Sequence, residues 1–179
     1  DRKDLGARFG QMGDRLWSLA RGSDTRKVKR DSKVKSISNE TTFSEDIAAV
    51  DLLDGHIWRM AEKVADRAKA KDIAGRVVTL KLKRSDFTLI TKRVSLHDAS
   101  QIADRIYRAA RDLFDKVDHE KPYRLLGVGL SELVASDQAD RSGNLLDPQE
   151  ARRIDAERAT DAIRKRFGDD AILKGRALR

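Results

Sequence analysis

The chain predicts an α+β domain whose order is strand, helix, strand, strand, helix, strand. That order implies a four-stranded antiparallel sheet with both helices on one face. Three observations predict it. Residues Arg76 to Leu96, RVVTLKLKRSDFTLITKRVSL, alternate apolar and polar in two runs about a polar hinge at Ser85 and Asp86, as two half-buried strands of a hairpin do. Two longer stretches, before and after this hairpin, repeat apolar residues at helical spacing. Two further short stretches with strand character bracket the whole, Lys33–Phe43 and Tyr123–Val134.

At the N-terminus, Asp4 to Ala20 carries Leu5, Phe9, Met12, Leu16, Trp17 and Leu19 near helical spacing. Gly10 and Gly13 are expected to break it into two short helices, and Gly22 to stop it. Its apolar face needs a partner, and the chain reads as a fragment of something longer. Thr25 to Lys35 follows with six basic residues and one acid, a linker composition. In the first strand, Val34, Ile37, Thr41, Thr42 and Phe43 supply the strand character, with hydroxyls between. Ser44 is expected to cap the next helix, with Glu45 and Asp46 in its first turn. That helix carries the stripe Ile47, Val50, Leu53, Ile57, Met60, Ala61, Val64 and Ala68, with a break expected near Gly55.

In the hairpin, Val78, Leu80 and Leu82 point inward, and Val77, Thr79, Lys81 and Lys83 point out. In its second run Ile90, Val94 and Leu96 go inward with the stem of Lys92, while Thr91, Arg93 and Ser95 point out. The second helix, expected over about 99–117, uses Ile102, Ile106, Ala109, Ala110, Leu113, Phe114 and Val117. In the last strand Leu126, Val128 and Leu130 oppose Gly127, Gly129 and Ser131. A polar connector is expected over 135–147. A helix follows over 148–167 with the thin stripe Ala151, Ile154, Ala159, Ala162, Ile163 and Phe167, then a basic tail.

The two helices behind the sheet leave its other face open, and that face carries lysines, an arginine, hydroxyls and two glycines. The chain has 179 residues and a net charge of +8, which favours a polyanionic partner. A cationic sheet face suits a phosphate backbone. The aromatics do not interleave with the basic residues, so stacking on exposed bases is not expected, and RNA recognition is disfavoured. Nucleic acid ranks first as that partner and an anionic membrane second, no apolar run reaches the roughly 18 residues of a membrane span, and no membrane partner is expected. The absence of cysteine fits a cytoplasmic protein and excludes thiolate chemistry. His56, His97 and His119 have no metal-ligand spacing. Asp51 and Asp54 read as a solvated acidic pair, and the Gly127–Gly129 GVG lies inside a strand rather than before a helix, so no catalytic or metal site is expected. Trp17 and Trp58 fall on apolar stripes and are expected in cores.

Several motifs agree in order. FGxxGxxLWxLARGxD spans Phe9–Asp24, KSIxxExTF spans Lys35–Phe43, LKLKxxDF spans Leu80–Phe87 with ITKR at Ile90–Arg93, and YRLLGVGLSxLV spans Tyr123–Val134. Together they resemble the C-terminal part of Y-family translesion DNA polymerases of the bacterial DinB, or DNA polymerase IV, type. The resemblance covers about 5–134. It implies the end of a thumb domain at 1–24, a linker at 25–32, a little finger domain at 33–134, a flexible connector at 135–147, and a C-terminal helix and basic tail at 148–179. It implies that the little finger's sheet holds the backbones of primer–template duplex through Lys35, Ser36, Ser38, Lys81, Lys83, Arg84, Thr91, Lys92 and Arg93. Alternation alone selects Thr79, Lys81, Lys83, Thr91 and Arg93.

The resemblance further implies an intact protein that is an error-prone, lesion-bypass DNA-directed DNA polymerase using Mg²⁺. This stretch holds no cofactor and none of the catalytic palm, and alone is expected to be inactive and monomeric. Family members carry a sliding-clamp peptide near the C-terminus. Gln138 begins such a pattern, and Leu145 and Leu146 supply apolar residues, but Arg141, Ser142 and Gly143 intervene and no Phe follows. The alternative reading is a protein-interaction module that docks on the clamp, its basic face incidental.

Overall fold

The computed structural model describes residues 1–27, 33–140, 148–168, 171, 172 and 175. Two compact units divide the chain at Lys33 and Val34.

The first unit is a helical pair, α1 (Arg2–Phe9) and α2 (Gln11–Leu19). Asp1 caps α1 through a capping box with Asp4. Gly10, with φ of 55°, makes the break, as expected. Gly13 does not break the chain but sits buried inside α2. A Cβ there would lie 1.9 Å from the carbonyl oxygen of Leu5, so glycine lets the two helices touch. Trp17 is half-buried rather than core, with the guanidinium of Arg21 3.8 Å from its ring centroid and that of Arg2 5.3 Å. Phe9, Met12, Leu16 and Leu19 are exposed.

The second unit carries β1 (Ser36–Ile47), α3 (Val50–Lys69), β2 (Ile73–Arg84), β3 (Leu89–Ser100), α4 (Ala103–Asp115), β4 (Tyr123–Ala135) and α5 (Pro148–Phe167). The sheet order is β1-β4-β2-β3, with every pairing antiparallel. Each βαβ unit thus leaves a one-strand gap that the other fills. α3 and α4 pack on one face. Trp58, Ile57, Leu53 and Val64 of α3 meet Ile106, Ala110 and Phe114 of α4 over Val78, Leu80, Leu82, Leu126, Val128 and Leu130 of the sheet. These are the inward residues that alternation selects.

Three boundaries differ from expectation. β1 continues through Ser44, so Ser44 is a strand residue and not a cap. The register slips between Thr42 and Ile47, and this bulge lets Phe43 and Ile47 still reach the core. α3 then starts after Ala49 without a side-chain cap and runs unbroken, Gly55 being buried within it. β3 extends to Ser100 through a second bulge opposite Gly75–Val77, so α4 begins only at Ala103. Asp54 is no solvated acid. It accepts the Tyr107 hydroxyl at 2.6 Å and pairs with Arg111 Nε at 2.9 Å, tying α3 to α4. Asp51 is exposed.

The stretch expected as a connector begins ordered. Ser136–Gln138 form one 3₁₀ turn, the Asp140 amide donates to the Ala99 carbonyl, and the Asp140 carboxylate pairs with Arg105 at 2.5 Å. Residues 28–32 of the expected linker and 141–147 of the expected connector lie outside the described residues, as does most of the basic tail.

α5 docks by an unexpected face. Its apolar stripe is largely exposed, with Ile163 and Phe167 in solvent. The face turned to the domain carries Arg153, Glu157, Asp161 and Arg164, which meet Asp104, Lys69 and Glu62 in ion pairs. α4 has no side-chain cap of its own. Buried Glu157 supplies one from a distant helix, accepting the amides of Ala103 at 2.8 Å and Asp104 at 3.2 Å.

Candidate nucleic-acid interface

The open sheet face is built in rows. Reading across β1, β4, β2 and β3, one row is Ser36, Ser131, Val77 and Ser95, and the next is Ser38, Gly129, Thr79 and Arg93. The third is Glu40, Gly127, Lys81 and Thr91, and the fourth is Thr42, Leu125, Lys83 and Leu89. Period-two alternation sends these side chains away from the helices, because their neighbours are the core residues. The face therefore mixes hydroxyls with the cations Lys81, Lys83 and Arg93, plus one acid, Glu40.

The two glycines lower the centre of this face. A Cβ on Gly127 would stand 2.7 Å from Glu40 Cβ, and one on Gly129 3.2 Å from Ser38 Cβ. Without those side chains a trough of about 280 Å³ runs over β4, lined among others by Ser36, Ser38, Glu40, Thr79, Lys81 and Arg93. Across its floor Lys81 Nζ reaches Glu40 Oε2 at 2.8 Å.

The structure brings together Ser36, Ser38, Thr79, Lys81, Lys83, Thr91 and Arg93. Lys35 is exposed just before β1. Two residues implied by resemblance stand apart. Lys92 pairs with Leu80, which puts it on the helix-side face, exposed at the free edge of the sheet. Arg84 is turned away. Its guanidinium donates to the carbonyl of Asp118 at 2.9 Å and pairs with that residue's carboxylate at 3.3 Å, because the register slips between Lys83 and Arg84. Gln138 lies in the 3₁₀ turn, and Leu145 and Leu146 fall outside the described residues.

Sequence reasoning missed Glu40 and Arg124. Glu40 was visible in the KSIxxExTF motif, but its place opposite Gly127 needs the register. Arg124 is displaced by the bulge at the start of β4. Tyr123 and Leu126 both face the core, so Arg124 and Leu125 between them do not. Among the described residues no three His, Asp or Glu side chains gather as a metal site would need. No helix among those residues is long and apolar enough to cross a membrane.

The arrangement can hold a polyanion. Glu40 opposes that role, because it occupies Lys81 and repels phosphate. Glu40→Gln is expected to tighten duplex-DNA binding about three- to tenfold at low salt, and to steepen the salt dependence by about 0.9 as Lys81 becomes free. Fluorescence anisotropy across a salt series measures both. Equal affinities for the two proteins would remove Glu40 from the interface.

Comparison with known proteins points the same way. Residues 34–145 match the model of the impB/mucB/samB family C-terminal domain. The chain is 46% identical over 175 residues to DNA polymerase IV 1 of Mesorhizobium japonicum, covering 98% of this chain and 40% of that protein. It is 45% identical over 167 residues to DNA polymerase IV of Brucella melitensis, covering 93% and 37%. It is 40% identical over 179 residues to DNA polymerase IV of Caulobacter vibrioides, covering 100% and 44%. Its fold matches a solved Y-family DNA polymerase chimera, Dbh-Dpo4(243-245)-Dbh, with a TM-score of 0.53 and 16% identity, over 75% of this chain and 39% of that one. The chain thus spans about 40% of the length of the curated relatives it matches.

Proposed function

Because the chain belongs to the impB/mucB/samB family, whose C-terminal domain it carries over residues 34–145, we propose that its open sheet face grips primer–template duplex DNA by the phosphate backbone, without reading sequence. The observation that carries this reading is the set of rows over the Gly127–Gly129 trough. Lys81, Lys83 and Arg93 stand among the hydroxyls of Ser36, Ser38, Thr79 and Thr91, on the face opposite α3 and α4. Phosphate contacts position a protein on a duplex and carry no sequence information directly.

The intact protein is, in this reading, a cytoplasmic lesion-bypass DNA polymerase. Nucleotidyl transfer and its Mg²⁺ belong to the palm, which the relatives' greater length accommodates. The stretch at 1–24 is then the end of the thumb, 25–32 the linker, and 33–134 the little finger. A sliding clamp is the second partner, taken through the segment from Gln138 to Leu146.

The test uses two duplexes of unrelated sequence and equal length. Equal affinities, both falling steeply with salt, support the grip, each phosphate contact adding about 0.9 to the slope. A strong preference for one sequence, or binding indifferent to salt, would reject it.

A further inference from the structure

The LKLKxxDF motif ends on a residue that the rows above do not use. Phe87 closes the hairpin between β2 and β3. The Phe87 amide donates to the Arg84 carbonyl, and the Arg84 amide to the Thr88 carbonyl, each at 2.9 Å. The loop is therefore the three residues Ser85, Asp86 and Phe87. Its third position takes the left-handed conformation, where such hairpins place glycine. Here φ is 68° on a phenylalanine, a conformation that costs a bulky side chain strain. The strain is held from outside. The Ser85 amide donates to the Pro122 carbonyl at 2.9 Å, and Lys121 Nζ donates to Asp86 at 2.7 Å.

The ring gains no core from this arrangement, since Phe87 is 60% exposed. It stands instead among cations. Lys83 Nζ lies 4.8 Å from its centroid, and Arg124 Cζ, displaced from the core side by the bulge in β4, lies 4.2 Å from it. Leu89, 55% exposed and paired with Lys83 in the fourth row, extends the apolar surface onto the open face. A strained turn, an exposed ring, a bulged arginine and an exposed leucine thus meet at one end of the cationic face.

We propose that this tip is a separate contact site for the DNA backbone, in which the Phe87 ring and Leu89 pack on deoxyribose while Lys83 and Arg124 take the flanking phosphates. It rests on the reading of the open face as a duplex grip and extends that grip past the last row of the sheet. The occupant is a sugar–phosphate strand because the site is apolar at its centre and cationic around it, and because it continues a face of the same charge. Phe87 holds the unfavourable turn conformation because its ring is needed in solvent.

The substitution Phe87→Gly separates this role from a structural one. Glycine suits the left-handed position, so the melting temperature of the full chain should stay equal or rise. Binding to a mixed-sequence duplex should weaken about five- to tenfold, from lost apolar contact. The salt slope should not change, because no charge is lost, whereas Arg124→Ala should lower it by about 0.9. Unchanged affinity in Phe87→Gly would overturn the proposal. So would a loss accompanied by a lower slope or a lower melting temperature, since the ring would then only prop the cations or the fold. Arg93→Ala, a change confined to the second row of the face and away from the tip, is run alongside and reports on the face itself. If Arg93→Ala leaves binding and its salt slope intact, the grip fails, and if only Phe87→Gly does, the tip alone fails.

Discussion

Replacing Lys83 and Arg93 together with alanine is expected to lower duplex affinity by on the order of ten- to a hundredfold near 0.1 M salt, and to reduce the salt slope by about 1.8. The two cations lie two rows apart on neighbouring strands, about 13 Å along the strand direction. In the proposed grip each would therefore meet a different phosphate, and their effects should add in the slope. Arg93 is exposed and Lys83 half-buried on the open face, so neither belongs to the core beneath. The melting curve of the double variant should stay close to that of the parent chain. Anisotropy titrations at several salt concentrations read the slope. An unchanged slope would mean that neither side chain meets a phosphate.

The second large effect lies on the opposite side of the domain. Glu157→Ala should release α5. The change leaves the Ala103 and Asp104 amides uncapped and takes from Lys69, with a side chain only 24% exposed, one of its two carboxylate partners. Breaking a buried pair from one side costs about 3 kcal/mol or more, and loss of a cap adds about 1 kcal/mol. That exceeds what a helix held mainly by ion pairs can lose and stay docked. Hydrogen exchange should show α5 unprotected and the first turn of α4 faster, with the sheet unchanged. Protection of α5 equal to that of the parent would contradict the capping role.

The same cluster fixes a pH dependence. Burial acts to lower the Lys69 pKa, but Glu157 and Asp161 outweigh it and hold the group above its ordinary 10.5. A raised lysine contributes stability fully below about that pH and loses it as pH rises through the folded-state value. The Lys69 contribution to α5 docking should therefore persist through neutral pH and be lost in strong alkali, which hydrogen exchange of α5 across an alkaline pH series would show.

How much of this was legible follows from which interactions are local. Alternation from Arg76 to Leu96 placed Leu80, Leu82, Val94 and Arg93 on the faces they occupy, because a strand's period is fixed by its backbone. The stripes of α3 and α4 were legible for the same reason. What failed was non-local. Ser44 looks like a cap until the bulge after Thr42 carries β1 past it. Arg84 is a contact that only the resemblance implies, and its partner Asp118, in the segment after α4, cannot be read from the hairpin. Glu157 looks like an ordinary surface acid, because the amides it accepts lie more than fifty residues away. The thin apolar stripe of α5 was a true periodicity with a misleading reading, since complementary charges on α3 and α4 chose the other face. Gly127 and Gly129 were legible as small residues, but the trough they open depends on the register that sets them opposite Glu40 and Ser38.

The most direct test of the grip is an amide chemical-shift map of the isotopically labelled chain titrated with a mixed-sequence DNA duplex. The account predicts shifts along the open rows, at Ser36, Ser38, Thr79, Lys81, Lys83, Thr91, Arg93, Gly127 and Gly129, with the amides of α3 and α4 unmoved. Shifts centred on α3, α4 and α5, with those rows unchanged, would contradict it.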